Sequence, residues 1–241
     1  MLTSLFRLFE LKSRKIISDI IVRPICKVKY SFIYDNLPDS DKVIELNINE
    51  IEGWYRGTRY DEYTFQGQIK GGDWSYKITP RNKMLISENN KHHAIIQRYQ
   101  KKMRWRETDL FQKRYHEMLK KGMNVKGFTN LHDIEQYYID TYDKLFDSIS
   151  EKGILPANEE HPDIAPMHVV IYRDGEILYT VDGNHRLSMC MVLGIERIPV
   201  KIWLRHSEWQ KKRDYILNKD PGELDEKHKK YLKHPDIISE L

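Results

Sequence analysis

Five consecutive polar residues, Asp182-Gly183-Asn184-His185-Arg186, interrupt an apolar run that starts at Ile177, and a second apolar run follows at once from Leu187 to Leu193. A strand that enters a helix through a glycine turn leaves the first backbone N–H groups of that helix without intrahelical acceptors, at the positive end of its dipole. With the His185 and Arg186 side chains beside those donors, the segment can concentrate an anion, and phosphate is the anion such sites take most readily. Gly183, Asn184, His185 and Arg186 are therefore the candidate phosphate-binding residues. The competing reading is a β-turn carrying solvated polar side chains.

Such a turn needs a strand before it and a helix after it, and the flanking patterns supply both. Val169-Val-Ile-Tyr172, an Asp174-Gly175 turn and Ile177 to Val181 read as a hairpin. A helix over 187–193 closes at Gly194, and Ile198-Pro-Val-Lys-Ile-Trp203 reads as a further strand. Upstream, residues 43–48 alternate as a strand. Helical spacing recurs at Ile95, Ile96, Tyr99 and Met103, then at Phe111, Tyr115, Met118 and Leu119 after a Thr108 or Asp109 cap. A third helix is expected over 133–152, stopped by Gly153. The aromatic, glycine-rich stretch 53–80 predicts a long ordered loop or a small hairpin layer, with Gly67 to Trp74 turning to present Asp73. Arg205-His206 either reaches the mouth of the pocket or forms an exposed pair.

Composition bounds the function classes. The chain has 241 residues, enough for one large domain or two small ones. Its 40 basic and 36 acidic side chains give a net charge of +4, a mixed surface that neither demands nor excludes nucleic acid. Cys26 and Cys190 cannot build a disulfide framework, so a reducing, cytoplasmic compartment is expected. No apolar stretch approaches the roughly 20 residues needed to span a bilayer. Arg7 and Glu10 break the apolar N-terminus, which argues against a secretory signal. Leu5, Phe9, Ile16 and Ile20 with Arg7, Lys12, Arg14 and Lys15 make residues 1–24 a basic amphipathic helix, ended by Pro24. It either packs on the body or lies on a membrane surface or a partner. Residues 98–121 hold nine Lys or Arg among Tyr99, Trp105, Phe111 and Tyr115, a solvated basic helix face or a nucleic-acid contact. His92-His93 lacks a third ligand at metal spacing, so no zinc site is expected.

The order of these patterns resembles the ParB/sulfiredoxin superfamily. Shared features are a helix like Tyr142 to Ile154, a hairpin, a Gly-x-x-Arg turn read here as Gly183-Asn-His-Arg186, a helix, and a strand read here as Gly194-Ile-Glu-Arg-Ile-Pro-Val200. The resemblance covers residues 144–203, about a quarter of the chain, and more weakly residues 43–53. It implies an α+β fold: a ParB/sulfiredoxin-like domain over 43–206, an inserted helical and aromatic-rich layer at about 54–140, and a charged helical tail over 207–241. Sulfiredoxins carry a cysteine in the turn where this chain has Asn184, and Cys190 lies farther along the helix, which argues against that activity. Partition proteins of the superfamily continue into a helix-turn-helix domain, and the 38 residues after Trp203 are too few and too polar for one.

Asp182-Gly-Asn-His-Arg186 is most similar to the turn of a third branch, nucleotide-dependent kinases such as the free-serine kinases. That likeness implies phosphoryl transfer from ATP or ADP with Mg²⁺ to a small or glycan-like hydroxyl compound. Such chemistry needs phosphate neutralisation, a divalent metal and a group that accepts the hydroxyl proton. Asp182 is the candidate Mg²⁺ ligand or, alternatively, a helix cap. His185 is a candidate acid, base or hydrogen-bond donor, or else caps its own turn. In the serine-kinase branch the base is a glutamate after the first strand, which points to Glu52 or Glu50, or to Glu107; Asp73 is a further candidate. Two other function classes stay open: a ParB-like DNA-binding protein or nuclease, and a nucleotide-bound regulator without turnover.

Overall fold

The computed structural model describes residues 17–56, 64–80, 90–156, 166–180 and 183–240. It is an α+β structure built on one mixed sheet. A π-helical turn, Ser18–Val22, runs into α1 (Arg23–Ser31). The first sheet strands are β1 (Val43–Asn47), β2 (Ile51–Tyr55), β3 (Gln68–Lys70) and β4 (Ile78–Pro80). A helical layer follows. It comprises α2 (Asn90–Ile95), extended by Ile96–Gln100, and α3 (His116–Lys120), preceded by Leu110–Tyr115. It ends with α4 (Leu131–Tyr138), which continues through Ile139–Asp143 into α5 (Lys144–Lys152). The hairpin is β5 (Met167–Ile171) and β6 (Ile177–Tyr179), then come α6 (Asn184–Leu193), β7 (Arg197–His206) and α7 (Ser207–Leu217). Two short helical turns, α8 (Glu226–Lys229) and α9 (Pro235–Ile238), end the chain.

The strand order is β1-β7-β5-β6-β2-β4, with β3 also pairing β7. β5 lies parallel to β7 and antiparallel to β6, and β2 runs parallel to β6. Alternation along β5 sends Val169 and Ile171 into the main core with the helices, while Val170 joins Tyr55, Trp74, Tyr172, Leu178 and Leu204 on the opposite face. Both faces of the central strands are therefore covered, and β5 reads as an unbroken buried run.

Three expectations need correction. Pro24 does not end the helix: the π-helical turn Ser18–Val22 runs straight into α1, and Pro24 sits in the first turn of that α-helical segment; residues 1–16 of the amphipathic segment lie outside the described residues. The aromatic stretch is not a separate layer: β2, β3 and β4 all join the main sheet. Arg205 and His206 are neither exposed nor at a pocket mouth. Both are buried in the last turns of β7, Arg205 against Asp236 and His206 against the Gly72 carbonyl. The charged tail is helical as expected, and it is docked, with Trp209, Arg213, Ile216, Asp236 and Ile237 buried.

Candidate functional site

The polypeptide leaves β6 at Tyr179 and enters α6 at Gly183, whose φ of +73° is a left-handed conformation that L side chains rarely adopt. Space imposes the same choice. A Cβ on Gly183 would sit 2.7 Å from the Tyr179 hydroxyl and 3.2 Å from Met167 Cγ, both on buried side chains. Gly183 brings no capping side chain to α6, and the first intrahelical bond is Leu187 N–H to the Gly183 carbonyl. The N–H groups of Asn184, His185 and Arg186 thus form the positive end of a ten-residue helix. Arg186 folds back over the turn, its Nη2 3.4 Å from where that Cβ would stand. Asp182, the candidate metal ligand and catalytic group, lies outside the described residues.

His185 is buried among aromatic rings. It stacks on Tyr142 with centroids 4.0 Å apart and planes at 25°, and meets the edge of Tyr138 at 5.8 Å. Burial, with Lys91 and Lys126 nearby, lowers its pKa to about 3, so the imidazole is neutral at physiological pH. Its Nε2 is buried without a hydrogen-bond partner among the described residues. An orphaned polar atom of this kind is costly unless something bonds to it. The expectation of a His185 acid or base titrating near neutrality is therefore corrected: the ring can give or take one hydrogen bond but carries no charge.

The structure adds residues that the sequence did not single out. Lys126 sits in a tight turn between Val125 and Phe128, where both Lys126 (φ +53°) and Gly127 (φ +91°) take positive φ. A lysine in that conformation is strained by about 1–2 kcal/mol. Its ammonium is 3.1 Å from the Tyr142 hydroxyl and lies over the Tyr137 ring at 4.9 Å. Burial opposes the charge more than any single contact favours it, but the interactions with Tyr142 and Tyr137 together outweigh it and the lysine pKa stands above its ordinary value. Lys91 reaches the same neighbourhood from α2, which packs against α6. Lys91, Lys126 and Arg186 thus bring three cations to one helix N-terminus. The only sequence signal for Lys126 was a Lys-Gly pair in a connector.

No protein family, curated protein or solved structure matches this chain.

The glutamates are elsewhere. Glu52 points out of β2 into a cleft of about 350 Å³ that Asn49, Gly175 and His234 also line, at the hairpin end of β6 rather than the α6 end. Burial and the neighbouring Glu176 raise its pKa. Glu50 accepts from the Asn47 N–H and closes a short helical turn. Glu107 accepts from the Arg104 N–H at 2.8 Å, also a cap. Asp73 accepts from the Ser75 N–H and the Tyr172 hydroxyl, both at 2.9 Å, which holds its carboxyl at about 2. Glu50, Glu107 and Asp73 are engaged by these partners, and Glu52 lines the cleft at the other end of β6. Cys190 is buried and its thiol is pushed up to about 12 by that burial, as an unreactive core residue. Among the described residues no three His, Cys, Asp or Glu side chains form a metal cluster. Three cations and an orphaned imidazole suit phosphate oxygens.

Proposed function

We propose that the α6 N-terminus binds the terminal phosphates of a nucleotide, and that the protein is a nucleotide-dependent phosphotransferase acting on a small or glycan-like hydroxyl compound. The observation that carries this reading is the convergence of Arg186, Lys126 and Lys91 on the start of α6, where Gly183 supplies no side-chain cap and the His185 Nε2 lacks a partner among the described residues. Backbone N–H groups at 184–186 would orient the phosphate, the guanidinium and ammonium groups would neutralise charge that develops on it, and the buried imidazole would fix one oxygen. The ParB/sulfiredoxin-like fold and the choice of ATP or ADP rest on the resemblance of Asp182-Gly-Asn-His-Arg186 and the Ile-Pro-Val strand. Mg²⁺, which would share the phosphate charge, needs only one or two protein carboxylates, and Asp182 is the one that would hold it.

The residues 98–121 give little support to a nucleic-acid reading. Trp105, Phe111 and Tyr115 are buried in the helical core, while Arg98 pairs with Asp143 and Arg106 with Glu135. A nucleotide-bound regulator is the second reading, favoured by the placement of Glu52 at the hairpin end of β6, away from the turn.

Thermal unfolding in ATP, ADP, CTP and GTP, with and without Mg²⁺, tests the proposal. A ligand at a hundredfold excess over its Kd adds about 2.7 kcal/mol to the native state. In a chain of this size that raises Tm by roughly 5–10 °C. The expected result is a shift with an adenine nucleotide that Arg186→Ala abolishes. No shift with any nucleotide would overturn the reading; a shift without consumption of nucleotide across a set of hydroxyl acceptors would favour the regulator.

A further inference from the structure

The first described helix has two apolar faces, and the protein body covers only one. On the inner face Val22, Cys26, Tyr30 and Tyr34 pack around Phe65 and Ile69. The Tyr30 hydroxyl fixes the contact by donating to the Ile69 carbonyl at 2.7 Å and accepting from its N–H at 3.2 Å. On the outer face Ile17, Ile21, Ile25, Val28 and Phe32 recur at spacings of four, four, three and four, with Ile20 beside them. These side chains stay in water: Ile20 is 68% exposed, Ile25 63%, Val28 60% and Phe32 85%. Scattered exposed apolar residues are ordinary, but a continuous stripe along one helix marks a contact surface.

Charge decides what that surface meets. Lys27 and Lys29 border the stripe on opposite sides of the helix, both exposed and without an ion pair among the described residues. Over residues 1–33 the sequence holds seven Lys or Arg (Arg7, Lys12, Arg14, Lys15, Arg23, Lys27, Lys29) against two acids, Glu10 and Asp19. A second copy docking stripe to stripe would bring those like charges together. No helix among the described residues is long and apolar enough to cross a membrane, so the stripe suits a surface rather than a span.

We propose that this helix docks the protein on an anionic membrane, with Ile21, Ile25, Val28 and Phe32 sunk below the headgroups and Lys27 and Lys29 reaching up to lipid phosphates. The apolar side chains supply the burial, and the lysine stems extend along the apolar surface while their ammonium groups stay at the interface. This surface is independent of the phosphate site, and neither proposal depends on the other.

Co-sedimentation of the full chain with vesicles tests it, using phosphatidylcholine alone and phosphatidylcholine mixed with phosphatidylglycerol. Binding is expected only to the mixed vesicles and should weaken as salt rises. Lys27→Gln with Lys29→Gln should lower the partition roughly 30-fold, which corresponds to about 1 kcal/mol per cation at an anionic surface. Val28→Glu with Phe32→Glu should abolish binding while leaving thermal unfolding unchanged, because neither side chain touches the core. Absence of binding to the mixed vesicles, or equal binding by that variant, overturns the proposal. A concentration-dependent dimer that the same variant dissolves, with no vesicle binding, would assign the stripe to a second copy and overturn it as well.

Discussion

The His185 imidazole lies nearly flat on the Tyr142 ring, 4.0 Å between centroids, while the Lys126 ammonium bonds the Tyr142 hydroxyl at 3.1 Å. The stack explains how a polar residue can sit at the head of α6 and still be buried. It also ties the helix start to the segment between α4 and α5, so the turn is positioned by the helical layer as much as by the sheet.

That burial has a pH signature. The imidazole takes a proton near pH 6.5 when the chain is unfolded but only near pH 3 when folded. Between those values the unfolded state binds more protons, so this group costs stability progressively as pH falls from 6.5 towards 3. From pH 7 to pH 5 the loss is about 2 kcal/mol. Urea unfolding of His185→Gln should show a correspondingly shallower loss over that interval. An unchanged pH slope would mean that His185 is charged, or reached by water, in the native protein.

Gly183→Ala should destabilise the protein by about 2–4 kcal/mol. A left-handed alanine contributes about 1–2 kcal/mol, and forcing Cβ against the Tyr179 hydroxyl adds an overpacking cost of similar size. Adding Tyr179→Phe to Gly183→Ala removes the oxygen 2.7 Å away and should restore the overpacking part alone. A full loss that Tyr179→Phe leaves untouched would place the whole cost in the backbone.

Lys126 separates binding from stability. Lys126→Gly relieves a positive φ while deleting a cation beside the site, so phosphate affinity should fall about tenfold and stability should change by no more than about 1 kcal/mol. Isothermal titration with ATP and a urea melt measure the two. A large stability loss with unchanged affinity would make Lys126 a structural clamp on Tyr142 and Tyr137.

How much of this was legible beforehand depended on whether the signal was local. The Asp174-Gly175 hairpin, the Gly183 and Gly194 ends of α6, and the apolar stripe from Ile134 to Ile149 are short-range patterns, and each maps onto β5–β6, α6, and α4–α5. β3 and β4 span three residues each, too short to show alternation, and β3 exists only because β7 offers it a partner. Lys126 and Tyr142 are sixteen residues apart and meet through tertiary packing alone. Charge misled in the tail, because a buried ion pair and a solvated one are written with the same letters. Arg205, for which an exposed pair is one expectation, is 3% exposed, and its tail neighbours Arg213 and Asp236 are 1% and 0% exposed.

Those three residues yield the largest stability effect expected in the molecule. Asp236 accepts from Arg205 at 2.7 and 3.0 Å and from the Trp209 indole at 2.9 Å, and Arg213 lies 3.6 Å away. Burial alone would raise the Asp236 carboxyl, but the two guanidinium groups hold it below the ordinary carboxylate value. Its contribution is therefore present throughout neutral pH and is lost only in acid, below about pH 4, as pH falls through the folded pKa. Asp236→Ala leaves two buried guanidinium groups without that countercharge and should cost about 3–5 kcal/mol. Replacing Arg205, Arg213 and Asp236 together with apolar residues should cost less than Asp236→Ala alone, because no buried charge is then stranded. Urea midpoints of the two variants decide it. A triple variant that is the less stable of the pair would show that the ion cluster contributes net stability and does more than fix how α9 docks on β7 and α7.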